Sequence, residues 1–439
     1  MRASTKNTAY YYKHRMVLSY YRAPFISKLT VPLIVLSRTH KFLQDILAIS
    51  FGLALILPQS FFYGRPLLVT TTFTVWTISA LGKNLIYAVK RLSGLLFLPT
   101  LFIGFVYLCQ RHDNTTFRVI FMAGPIYCIM CCIVIGYYQI ISPIRLQTIR
   151  SWILIFLTLF TISTIPHIIR NPTMTRILAT DIPSELYHIQ LLYSMGFLGY
   201  TQLYALAISY STFILLFRSH KYLLFRILLG GALAYIAFIA LYSSLLLLTS
   251  CMLFNLALVL FFLHRRLDVK MRFITPWIIG AFVFLILWNL ESIMNFLPIP
   301  EFTIVKAQRF VHGLLTAGLI KGEITGRVEM FLNSCVVFLH KPFLGTGFTV
   351  ESLGIGDHSS LIDPFAYFGV VGYLPMFIFQ LIMTRSAYMN IRYTRNKIDA
   401  TLHLIAWYIY WVVSALNNTV FVVLPIMLLF VNFIQMPRK

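Results

Sequence analysis

The chain has 439 residues, of which 59% are hydrophobic and only 11% charged, with a mean hydropathy of +0.80. A soluble domain carries about 25% charged residues, so a water-soluble globule is excluded. The formal net charge of +23 does not indicate a nucleic-acid partner, because the basic residues sit in short clusters between apolar runs, the pattern of a chain threaded through a membrane with its positive loops inside.

The expected fold class is all-α, a polytopic integral membrane protein. Residues 1–42 form a basic, aromatic segment (Tyr10, Tyr11, Tyr12, Lys13, His14, Arg15) with no cleavable signal peptide. It is read as cytoplasmic and resting on anionic lipid, with a disordered basic tail as the alternative. Residues 43–439 read as a single transmembrane domain of about twelve spans, each near the roughly 20 residues that cross a bilayer. Their approximate limits are 43–61, 66–82, 92–109, 118–142, 151–168, 190–217, 223–241, 245–263, 274–293, 365–384, 400–416 and 419–436. An even number puts both termini on one side. Segments on that side hold 26 of the 36 Lys and Arg residues, which makes it cytoplasmic. Arg265–Arg266 and Lys270–Arg272 are the clusters expected to touch anionic headgroups. The six cysteines mostly lie inside apolar runs, and neither a disulfide nor a metal site is expected from them.

Two loops face outward and are long: about 169–189, and 294–364 between spans 9 and 10. The second is long enough for helices and a site of its own. It contains Thr325-Gly326-Arg327-Val328-Glu329, then Lys341-Pro342-Phe343-Leu344-Gly345-Thr346-Gly347-Phe348, then Asp357-His358-Ser359-Ser360-Leu361, and runs into Tyr367-Phe368-Gly369-Val370-Val371-Gly372. An amphipathic helix over about 325–340 is predicted, closed by Lys-Pro and a Gly-rich turn. Asp357, Ser359 and Ser360 are candidate caps of the helix that follows.

In that order the motifs resemble the O-antigen polymerase/ligase superfamily, in which a Pro-Leu-x-Gly-x-Gly turn precedes a His segment, with a Gly eleven residues after the His. His358 and Gly369 have this spacing. Gly199-Tyr200 with Leu203-Tyr204 looks like the corresponding polymerase stretch. The likeness is concentrated in 325–372, with weaker echoes over 195–263. Ser243-Ser244 stand where family members often carry an Arg. The resemblance implies a bacterial inner-membrane glycosyltransferase. It would use polyprenyl-pyrophosphate-linked glycans as donor and acceptor on the outer face, with membrane lipids as further partners and a chain-length regulator left open.

The residues suit that chemistry. A pyrophosphate leaving group needs cations, and Arg forks fit phosphate oxygens bidentately. Arg170, Arg176, Arg309 and Arg327 are the outer arginines of the two long loops, and Arg327 is assigned to catalysis with the other three binding pyrophosphate. The attacking hydroxyl needs a base, for which His358 stands first, with Asp357 and Glu329 behind it. Asp357, Asp363 and Glu351 could in principle gather round a divalent ion, but no Asp-x-Asp pair or His/Cys cluster calls for one. With no nucleotide-binding loop either, no cofactor and no metal are expected. The outer loop is expected to fold back over a cavity among the spans. A ligase acting on lipid A-core shares the donor chemistry. A polysaccharide flippase is the rival from another class, disfavoured because span centres are nearly free of charge.

Overall fold

The computed structural model describes residues 38–62, 64–109, 115–170, 178, 186–242, 252, 255, 323–348, 354–356, 359–393, 397–417 and 420–434. Among these, every regular element is a helix. Asp357, His358, Arg176, Arg309, most of the 294–364 loop, most of the expected span 245–263 and all of the expected span 274–293 lie outside the described residues, as do the side chain of Arg327 and the basic segment 1–37.

The helices are α1 (Arg38–Ile56), α2 (Pro58–Phe62), α3 (Arg65–Ala80), α4 (Lys83–Leu108), α5 (Thr115–Ile141), α6 (Pro143–Thr161), α7 (Ile165–Arg170), α8 (Leu186–Ser194), α9 (Tyr200–Ile208), α10 (Tyr210–Ser219), α11 (Leu223–Tyr242), α12 (Glu323–His340), α13 (Asp363–Tyr393), α14 (Lys397–Leu416) and α15 (Val420–Phe430). Six stretches are long and apolar enough to cross a membrane: Lys83–Leu108, Phe121–Ile141, Pro143–Arg170, Leu223–Ala240, Asp363–Arg392 and Lys397–Ala415. The pair α9 and α10, bent by 57°, makes a seventh if it is one span. α1, α3 and α15 run alongside these.

Long-range hydrogen bonds and ring contacts sort the helix ends into two groups. At one end, Arg145 Nη2 meets Asp45 Oδ1 at 2.6 Å, Ser151 Oγ lies 2.7 Å from His220 Nε2, and Asn390 Nδ2 donates to Ile434 O at 3.0 Å. Lys83, Lys90, Arg91, Arg218, Arg226, Arg392 and Lys397 belong to the same helix ends. At the other end, α4 stops at Cys109 against the turn 342–348, and Ser360 meets Asn417. The helices run back and forth between a basic end and an end that carries the loop motifs.

The core is aromatic. Phe102 packs edge-on against Phe368 (5.3 Å between centroids), Phe121 against the same ring (5.1 Å), and Phe105 against Phe348 (5.4 Å). Gly372 lets α13 approach α4, since a Cβ there would come within 2.3 Å of the Phe105 ring; small residues at helix crossings serve this purpose in membranes. Among the described residues no disulfide links the five cysteines, and four of them are buried.

Two arginines sit deeper than their loop positions indicate. Arg150, counted by sequence with the basic-side loops, is buried. Its guanidinium donates to Leu429 O (2.7 Å), Val431 O (3.1 Å) and Asn432 Oδ1 (2.8 Å), closing the C-terminus of α15, where a cation is favoured. Arg65, counted with the outward residues, is buried at the start of α3 with its guanidinium 5.1 Å from the centre of the Tyr127 ring.

Candidate functional site

The predicted amphipathic helix is α12, and it ends where expected. Lys341 N–H closes the last turn onto Val337 O and Phe338 O (both 3.2 Å), and Pro342 cannot extend it. The chain then turns through Gly345 at φ +64 and docks on the first turns of α13. Thr346 N–H donates to Ala366 O (3.0 Å), Gly347 N–H to Tyr367 O (2.7 Å), Val370 N–H to Pro342 O (2.8 Å) and Val371 N–H to Phe343 O (3.0 Å). α13 can accept and donate these bonds because its own ladder is broken at Gly369, at φ 63 and ψ −174. The two glycines face each other's backbone: a Cβ on Gly345 would lie 2.5 Å from Tyr367 O, and one on Gly369 would lie 2.2 Å from Phe343 O. The Gly-x-Gly turn and the Tyr-Phe-Gly-Val-Val-Gly segment are thus the two halves of one clasp.

The stretch that leads into α13 is held from both sides. On the α12 side, Gly356 N–H donates to Ser334 Oγ (3.0 Å), and that hydroxyl donates to Asp363 Oδ1 (2.6 Å). Asp363 Oδ2 accepts Ser359 N–H (2.7 Å). The carboxylate is buried, yet it is satisfied by these donors and by its place at the start of α13, where negative charge is favoured. On the α14 side, Asn417 O accepts both Ser360 N–H (2.9 Å) and Ser360 Oγ–H (2.7 Å), and Leu361 N–H donates to Ser414 O (3.1 Å). Asn417 Nδ2 donates to the Tyr200 hydroxyl, and Tyr200 packs on Tyr204 at 4.5 Å. The Gly199-Tyr200-x-x-Leu203-Tyr204 stretch therefore joins the Ser359-Ser360-Leu361 stretch through a single residue, Asn417, by its side-chain amide on one side and its carbonyl on the other.

Of the residues singled out by sequence, Glu329 lies on α12 with its side chain exposed, away from Ser334 and Asp363 on the packed face. Arg327 lies two residues earlier on the same helix. Arg170 is exposed at the end of α7, a helix that packs against α11, so the described contacts do not bring it to the clasp. Asp357 and His358 fall between Gly356 and Ser359, both of which are anchored. Ser359 acts as the expected cap, accepting Ile362 N–H at 3.4 Å.

Sequence reasoning missed Ser334, Asp363 as an anchor, Asn417 and Tyr200 as a link. Asp363-Pro364 at the mouth of a span is a helix-start signal that could have been read. The Ser334 and Asn417 contacts reach across 22 to 217 residues and leave no local pattern. No protein-family model matches the chain, and no curated protein matches it.

Proposed function

We propose that the chain is a membrane glycosyltransferase that polymerises polyprenyl-pyrophosphate-linked oligosaccharide repeat units on the outer face of the inner membrane. The observation that carries the reading is the meeting, at one end of the bundle, of the three segments on which the family resemblance rests: 199–204, 342–348 and 359–372. Segments far apart in sequence share one network for a reason, and a site is the economical one.

In this reading His358, seated between the anchored Gly356 and Ser359, takes the proton of the acceptor sugar's hydroxyl, with Asp357 or Glu329 as the alternative base. The hydroxyl oxygen attacks the anomeric carbon of the donor glycan as the bond from that carbon to the pyrophosphate oxygen breaks, with inversion. Polyprenyl pyrophosphate departs with the bonding electrons. Arg327 meets the developing negative charge, and Arg309, Arg176 and Arg170 hold the pyrophosphate. The donor is already activated, so no nucleotide is needed to drive the step.

One feature favours a second reading. The α9–α10 pair bends by 57° around buried Ser209, with Gln202, Thr212 and Asn255 also buried, and discontinuous helices with polar groups mark the binding sites of transporters. A polysaccharide flippase would use that break.

Glycan profiling separates the readings, with a deletion strain complemented by wild type, His358→Ala or Arg327→Lys at equal membrane levels. A polymerase with His358 as base loses about 10²–10⁴-fold in rate, leaving single repeats on the lipid core. A bare core with long polymer stranded on the carrier means a ligase. Unchanged glycans from both variants remove these residues from the site and leave the flippase reading standing.

A further inference from the structure

α12 presents three different faces. At about 100° per residue, Phe331, Ser334, Val337 and Phe338 fall on one side, which is the side packed against the protein. Glu329, Asn333 and His340 fall together in an adjoining sector of about 40°, and all three are exposed. Leu332, Val336 and Leu339 fall in the remaining sector, about 60° wide, and are exposed too, Leu339 at 73%. Past Lys341 the next exposed apolar residues are Phe343 (72% exposed) and Leu344, and Phe343 O accepts the N–H of Val371 of α13, itself exposed.

Val371 lies eight residues into a helix long and apolar enough to cross a membrane, two past its break at Gly369, and depth below the first residue, Asp363, is counted at about 1.5 Å per residue down to that break. Ala366, the upper limit of the clasp, lies about 5 Å down by the same measure. The turn that closes α12 is therefore held at that depth, and the apolar residues exposed on α12 and on that turn lead to the exposed flank of α13 at Val371. A helix with one polar edge, one apolar edge and a depth of about 5–10 Å is what lies in a membrane interface.

We propose that α12 is an interfacial helix whose Leu332–Val336–Leu339–Phe343 strip docks on the acyl chains of the phospholipid leaflet at the motif end of the bundle. Its Glu329–Asn333–His340 edge faces water. The strip is thus a lipid-contact surface within the loop that the sequence reads as extramembrane. The inference is independent of the transferase reading and needs only the membrane-spanning assignment of α13.

The test places the photoreactive residue p-benzoylphenylalanine at position 339 or 333 of the full chain, in native membranes, followed by irradiation and mass spectrometry. The ketone inserts into nearby C–H bonds, so position 339 is expected to yield phospholipid acyl adducts and position 333 none above background. Position 336 repeats the measurement and covers a misfolded 339 variant. Equal lipid adducts from 333 and 339, no lipid adduct from either 336 or 339, a polyprenyl adduct in place of phospholipid, or a protein adduct from a second copy overturns the proposal.

Discussion

Gly345 and Gly369 are the positions where one methyl group changes most. Both have φ near +60°, where an L side chain costs about 1–3 kcal/mol, and at both a Cβ would meet the opposing backbone at 2.5 Å or less. The backbone there has no rotamer through which to yield, so the clasp itself must open. Gly347 differs: its φ is not in the left-handed region, and its nearest neighbours are Tyr367 O at 2.9 Å and Cys109 Sγ at 3.1 Å. Gly369→Ala and Gly345→Ala are therefore expected to lower the thermal midpoint of the detergent-purified protein, and Gly347→Ala to lower it less. An equal response from all three variants would mean that the clasp is not what these glycines serve. Ser334 acts at the same scale by a different route. Removing its hydroxyl leaves Gly356 N–H and Asp363 Oδ1 each short of a partner, at about 1–3 kcal/mol per buried group. On the proposed function, Ser334→Ala lowers polymer yield while membrane level stays near wild type. A yield that tracks protein level instead would reduce Ser334 to a packing role.

Elements in this bundle are tied by single polar side chains that reach across helices. Arg150 is the clearest, because one guanidinium serves three acceptors at the end of α15. Lysine cannot reproduce that fork, having three donors around one point and no plane. Arg150→Lys is expected to destabilise by about 1–3 kcal/mol, the cost of leaving a buried carbonyl unmet, and Arg150→Ala by more. The check is the thermal midpoint together with proteolysis near residues 429–434, which should loosen before the rest. Conversely, the clasp ties the end of α12 to α13 by backbone bonds, so truncating the exposed side chains along α12 should leave that anchorage in place.

At the scale of the whole molecule, the helical class and the sidedness of the charges were legible, because both depend on hydropathy and on Lys/Arg placement that any window of sequence displays. The helix over 325–340 and its closing turn were legible for the same local reason. The bend at Ser209, the burial of Arg65 and Arg150, and the Ser334–Asp363 and Asn417–Tyr200 links were not, since each depends on a partner supplied by a distant segment. Among the described residues six helices, or seven with the bent pair, meet the length and hydropathy needed for a span, against the dozen expected over the whole chain. The placement of charge still makes a firm prediction. Lys41, Arg145, Arg218, Lys221, Arg226, Arg385, Arg392 and Lys397 all lie toward one end of the bundle. Near an anionic leaflet each such charge is worth about 1 kcal/mol, and short basic loops resist translocation. That end should face the cytoplasm and the clasp should face away from it. Reporter fusions joined after residues 221 and 396 are expected to be active only in the cytoplasm, and one joined after residue 195 only on the opposite side. Opposite-side activity after 221 would invert the bundle and place the clasp in the cytoplasm. No lipid-pyrophosphate polymer could then be extended on the outer face, and the transferase reading would fall with the topology.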